Sequence, residues 1–159
     1  METLATQVLE KCRARGWTLA TAESCTGGMV IAALTDIAGS SDVVERGFVT
    51  YSNAAKMDML GVKKESLAAF GAVSEQVAKE MAQGALEHAG VDITVSITGI
   101  AGPGPSEHKP EGRVCFALAQ TGKTPSCQTI EFGAIGRANV RLKSTEVALH
   151  LLLNAANHV

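Results

Sequence analysis

Thr21-Ala22-Glu23-Ser24-Cys25-Thr26-Gly27-Gly28 is the stretch that decides the fold. A run of strand-forming residues, 17–22, ends in it, and a helix over 26–37 opens on its small residues and closes near Gly39. Orphan N–H groups at such a helix start can hold an oxyanion or a phosphate. Gly27 and Gly28 let a ligand approach the backbone closely. Ser24 stands where a nucleophile benefits from both features. The competing reading is that Ser24 or Thr26 only caps the helix. Two glycines early in a helix cost roughly 1–2 kcal/mol relative to alanine, which ligand access or a close helix–strand contact would explain.

The pattern on either side alternates helices and strands. Residues 3–15 form an amphipathic helix with Leu4, Val8 and Cys12 on one face, and Gly16 ends it. Residues 43–51 read as a strand with a bulge or bend at Gly47. Asn53 is the expected N-cap of a short helix ending at Gly61. Ser74 caps a longer helix, 75–89, whose first turn is favoured by Glu75 and Gln76. A β-rich run, 92–98, leads into a loop over 99–112. Two strands follow, 113–120 and 126–132, joined by a polar turn, and a last helix runs from about 137 to the low 150s. Several helices around a mixed sheet imply a three-layer α/β/α sandwich. The length of 159 residues suits a single domain over 1–159.

Composition narrows the function. Hydrophobic residues make up 46% and aromatics 4%, so the core is built from Ala, Val, Ile and Leu. A net charge of -2 without a basic run argues against a nucleic-acid partner. Apolar segments are too short to span a membrane, and no charged start followed by an apolar stretch suggests a secretory leader. Cys12, Cys25, Cys115 and Cys127 show neither a C-x-x-C pair nor Cys/His ligand spacing, so reduced thiols in a cytoplasmic setting are expected.

A serine nucleophile needs a base. His88 and His150 lie in helical segments, His158 is at the chain end, and His108 has no evident Asp or Asn partner, which leaves a Ser-His-Asp reading weak. Thr50-Tyr51-Ser52-Asn53-Ala54-Ala55-Lys56 offers an alternative. With Asn53 as cap, Lys56 falls in the first helical turn, where the macrodipole and burial both lower a lysine pKa toward that of a general base. An ordinary surface lysine is the plain alternative. Tyr51, at a strand end, either donates a hydrogen bond or packs in the core. Ser96-Ile97-Thr98-Gly99-Ile100-Ala101-Gly102-Pro103-Gly104-Pro105 runs from strand to loop and suits a crevice wall, or a plain connection. No G-K-[ST] follows, so it is not a P-loop. Arg137, at the start of the last helix, sits at the unfavourable pole of the dipole, a penalty that an anionic ligand would reverse. Arg141 lies one turn on. Both arginines also fit a solvated surface.

Taken in order, T-A-E-S-C-T-G-G, D-I-A-G-S-S, E-R-G-F-V-T-Y-S-N-x-A-K, G-A-V-S-E and S-I-T-G-I-A-G-P resemble the CinA C-terminal domain family from about residue 18 to 116. The resemblance implies a three-layer α/β/α fold, often dimeric, and hydrolysis of nicotinamide mononucleotide to nicotinate mononucleotide and ammonia, with no metal and no cofactor. It places the nucleophile at Ser24, the lysine base at Lys56 and the active-site tyrosine at Tyr51. Ser41, Thr98 and Gly99 match positions lining the site, Arg137 matches an arginine suited to the substrate phosphate, and N–H groups near Thr26 and Gly27 would stabilise the oxyanion. Tyr51 would relay a proton or hold Lys56, with Glu23 as a lesser helper. Two departures stand out. The family's G-P-D-G-G is here Gly102-Pro103-Gly104-Pro105-Ser106, without the acid and one residue shorter. Its G-D-R is here Ile135-Gly136-Arg137, without the Asp cap. An amidase for a related substrate and a non-catalytic nucleotide-binding regulator remain the rival readings.

Overall fold

The computed structural model describes residues 1–158. The chain runs through helix α1 (Glu2–Arg15), strand β1 (Leu19–Glu23), helix α2 (Met29–Thr35), a 3-10 turn (Ser40–Asp42) and strand β2 (Val44–Val49). Helices α3 (Asn53–Leu60), α4 (Lys64–Phe70) and α5 (Glu75–Ala89) follow, then strands β3 (Ile93–Gly99), β4 (Arg113–Gln120) and β5 (Ser126–Glu131), and helix α6 (Arg137–Asn157). The sheet has five strands in the order β2-β1-β3-β4-β5. Its β2-β1-β3 half is parallel and its β3-β4-β5 half antiparallel, which is the mixed sheet expected of the sequence.

Strand β3 shows how the layers are joined. Ile93, Val95 and Ile97 point into one core with Val8 and Leu9 of α1, Val30 and Leu34 of α2, and Leu149 and Leu152 of α6. The alternate residues face α5 with hydroxyls. Thr94 donates to the Ala82 carbonyl at 2.7 Å, Ser96 to Ala78 at 2.6 Å, and Thr98 to Ala72 at 2.9 Å. Each buried hydroxyl is thereby satisfied, and small side chains let α5 lie close to the sheet. Beyond α5, Leu60 at the end of α3 packs with Phe48, Val77 and Met81. A Cβ on Gly84 would stand 1.9 Å from the Leu60 carbonyl oxygen, so only glycine permits this crossing of α5 and α3.

Most elements lie where the pattern placed them, and the departures are local. Helix α2 begins at Met29, not 26, because residues 25–28 form a turn in which Gly27 and Gly28 take φ of 56° and 105°. Those values explain the Gly-Gly pair directly. The cap of α3 is Ser52, whose hydroxyl accepts from the Ala55 N–H at 3.0 Å, and Asn53 is the first helical residue. The register of β2 slips between Val44 and Arg46, while Gly47 pairs regularly with Thr21. Helix α4 and the 3-10 turn were not anticipated. Because β1, β2 and β3 are parallel, their carboxyl ends share one edge of the sheet, and Ser24, Thr50 and Thr98 meet there.

Candidate active site

Lys56 is fully buried, at 1% exposure. Its ammonium is 3.0 Å from Ser24 Oγ, 2.9 Å from the Thr50 carbonyl oxygen and 3.5 Å from that of Tyr51. Two carbonyls therefore take two N–H groups, and the third position on Nζ points at the serine. In the neutral amine that position is the lone pair, oriented to accept the Ser24 proton. Burial pushes the Lys56 pKa down from its ordinary 10.5, opposed by the negative charge of Glu107. The neighbouring Cys25 thiol is pushed up to about 12 by burial and is inert as a nucleophile.

The turn bearing Ser24 is built around Glu23, a residue read from sequence as a lesser helper. Its carboxylate is fully buried and accepts from the Thr21 and Thr26 hydroxyls and from the Gly28, Val30 and Ile31 N–H groups. Glu23 thus occupies the N-terminus of α2, so those amides are not open to a ligand. The Gly27 N–H donates to the Ser24 carbonyl at 3.0 Å. The Gly27 amide, one of the expected oxyanion donors, is therefore already engaged. Among the described residues, the amides that remain without a partner in this turn are those of Cys25 and Thr26. Arg141 braces the turn from outside, donating to the Cys25 carbonyl at 3.0 Å and to that of Thr26 at 3.5 Å.

Ser24 and Lys56 open onto a cavity of about 310 Å³ whose walls include Tyr51, Thr98, Gly99 and Arg137. Arg137, the first residue of α6, donates to the Gly102 carbonyl at 2.8 Å and to the Tyr51 hydroxyl at 3.0 Å. The Tyr51 phenol therefore faces Arg137 and not the serine–lysine pair. Its backbone carbonyl is what touches Lys56, and at 62% exposure its ring is not core. Thr26 and Gly27 do not line the cavity; the Thr26 hydroxyl is engaged by Glu23. Ser41 is exposed and precedes β2, at the opposite end of that strand from Thr50, so the structure does not bring it to the site. The proximity of D-I-A-G-S-S to the other motifs is sequential only.

The roof is the loop 101–112. Lys109 ties it down, donating to the Phe70 and Val73 carbonyls at 2.5 and 2.6 Å, and Glu111 accepts from the Gly104 N–H. Glu107 and Arg137 both line the cavity, so the missing acid of G-P-D-G-G does not leave the roof without a carboxylate. Sequence reasoning passed over Glu107, Lys109 and Glu111 because they fit a solvated loop. Among the described residues no group of three or more His, Cys, Asp or Glu is placed to hold a metal ion. No described helix is long and apolar enough to cross a membrane.

A three-layer α/β/α protein with a buried serine–lysine pair at the carboxyl edge of its parallel strands, beside an arginine-walled cavity, defines the class. The chain belongs to the CinA C-terminal domain family, whose description matches residues 1–156. It is 54% identical over 150 residues to the nicotinamide-nucleotide amidohydrolase PncC of Escherichia coli strain K12, covering 94% of this chain and 90% of that protein. A CinA-like protein of Mycolicibacterium gilvum is 54% identical over 141 residues, 88% of this chain and 33% of its own longer chain. The crystal structure of the competence/damage inducible protein CihA from Agrobacterium tumefaciens superposes with a TM-score of 0.94 at 47% identity, covering 99% of this chain and 95% of that one.

Proposed function

We propose that this chain hydrolyses the carboxamide of nicotinamide mononucleotide to nicotinate mononucleotide and ammonia, with Ser24 as nucleophile and Lys56 as base. The observation that carries the reading is the 3.0 Å contact between a buried lysine and the serine at the floor of a cavity walled by Arg137. The name of the E. coli relative supports the choice of substrate. Neutral Lys56 takes the Ser24 proton as Oγ attacks the amide carbon. The developing oxyanion is received by the Cys25 amide, on the cavity wall beside Ser24; in comparable sites such a donor is worth about 2.7–4 kcal/mol. Lys56 then returns its proton to the amide nitrogen, and ammonia leaves. Water, deprotonated by the same lysine, cleaves the nicotinoyl ester on Ser24 and regenerates the enzyme.

Arg137 binds the 5′-phosphate, and Tyr51 orients the guanidinium. Thr98 and Gly99 form the wall against which the ring lies. The test is ammonia release from nicotinamide mononucleotide by the purified protein, with Ser24→Ala as control. Stoichiometric ammonia from wild type and none from the variant is the expected result. Wild-type protein that releases no ammonia would remove the assignment.

A further inference from the structure

Among the described residues lining the cavity, Glu107 is the one acid, beside the cations Lys56 and Arg137. A carboxylate in a pocket that receives a phosphate is unfavourable unless something positive lies next to it. Its presence is not a by-product of a relaxed loop. Glu107 and His108 both take left-handed backbone conformations, with φ of 52° and 63°. Such conformations cost energy in residues other than glycine and persist where the surroundings hold them. The carboxylate has a seat prepared for it. Its Oε2 lies where a Cβ on Gly71 would come within 2.5 Å, and Lys109, already engaged by two carbonyls, is 3.7 Å away.

Lys109 gives this carboxylate one positive neighbour in a long salt bridge, and the proposed substrate carries a second on the cavity side. Its carboxamide must reach Ser24 and its phosphate must reach Arg137, so the nicotinamide ring lies between them. That ring is a cation, because its nitrogen is bonded to the ribose. We propose that Glu107 is a specificity-determining residue that reads the positive charge of the pyridinium ring. The inference rests on the substrate assignment above. The influence of the Glu107 charge on Lys56 is a further sign that its carboxylate is within electrostatic reach of the reacting pair.

The test is binding to Ser24→Ala protein, which needs no turnover. Calorimetry compares nicotinamide mononucleotide with its reduced dihydro form, which has the same phosphate and carboxamide and an uncharged ring. Adding Glu107→Gln should weaken the oxidised nucleotide about two- to fivefold, as expected of a half-exposed ion pair, and leave the reduced one unchanged. Adding Glu107→Lys should widen that difference. If both nucleotides weaken together, Glu107 acts only through the fold of the roof, and if neither weakens it reads nothing; either result overturns the inference. Wild-type protein that releases no ammonia, in company with a charge-selective Glu107 effect, would remove the hydrolase reading and leave this one standing.

Discussion

The Ser24 turn, 21–28, and the roof loop, 101–112, face each other across one cavity and are held in opposite ways. The turn is anchored from within, where one fully buried carboxylate collects two hydroxyls and three backbone amides. The roof is anchored at its rim. Pro103, Pro105, Ser106, Glu107 and His108 are exposed, and side chains reaching from Lys109, Glu111 and Arg137 keep the loop in place. A buried, fully satisfied network permits one arrangement, whereas rim contacts in water contribute little each. On the proposed function, the reacting atoms sit on the part that cannot move, and substrate discrimination sits on the part that can be changed at low cost. Substitutions in the turn should lower kcat, and those facing the roof should raise KM.

The largest effect is expected at the pair itself. Ser24→Ala and Lys56→Arg should each reduce kcat by about four to six orders of magnitude, as for other nucleophile–base units. The arginine retains the charge but cannot accept the serine proton. For wild type, kcat/KM should rise with pH as Lys56 loses its proton. Because burial lowers its pKa, the rise should reach its plateau below the ordinary lysine value of 10.5. A pH–rate profile still climbing at that value, or an active Lys56→Arg protein, would move the base elsewhere.

Glu23→Gln should come next. A carboxylate offers acceptors at both oxygens, and the amide at only one, so at least one of the Gly28, Val30 and Ile31 amides loses its partner. An unsatisfied buried donor costs about 1–3 kcal/mol, which lowers the melting temperature by about 2–12 °C in a protein of this size. The displaced turn should also lower kcat by about ten- to a hundredfold, since small misplacements of a nucleophile are that costly, while KM changes little. A variant that melts early but keeps its kcat would show that the turn's rigidity does not position Ser24.

The same contrast explains what could be read from sequence. Strands β3, β4 and β5 and helix α5 are visible because Ile93, Val95 and Ile97 alternate with hydroxyls and because Ser74 announces its helix. Gly16 and Gly61 mark helix ends by their left-handed φ of 68° and 69°. The pairing of Ser24 with Lys56 was carried by motif resemblance, with the dipole argument as a weaker guide. Glu23 as the occupant of the α2 N-terminus was not legible, since a carboxylate folding onto amides five to eight residues on leaves no periodic signal. Helix α4, seven residues long, is too short to show one. Ser41 belongs to a motif of the resemblance, yet in this chain it is exposed and does not line the cavity.

Arg137→Ala is the smallest of these effects and separates substrate from scaffold. No acidic residue offsets the dipole in the first turn of α6, so the guanidinium is unfavourably placed until an anion arrives. Two of its N–H groups are engaged by Gly102 and Tyr51, and the others are free to meet a phosphate. The phosphate is remote from the scissile bond, so its binding energy is largely the same in ground and transition states. Loss of one charge-assisted hydrogen bond costs about 1.5–3 kcal/mol. Arg137 is exposed, which favours the low end, so KM for nicotinamide mononucleotide should rise about tenfold with kcat nearly unchanged. Nicotinamide riboside, which lacks the phosphate, should be a poor substrate for wild type, and the substitution should leave its turnover as it was. The single bond from Arg137 to Gly102 also holds the roof, so the riboside is the decisive arm. If the variant impairs riboside and nucleotide equally, Arg137 acts by fastening the loop and the phosphate is read elsewhere. Arg141 could not take over that role without letting go of Cys25, and a further loss of kcat in Arg141→Ala would show that it belongs to the turn.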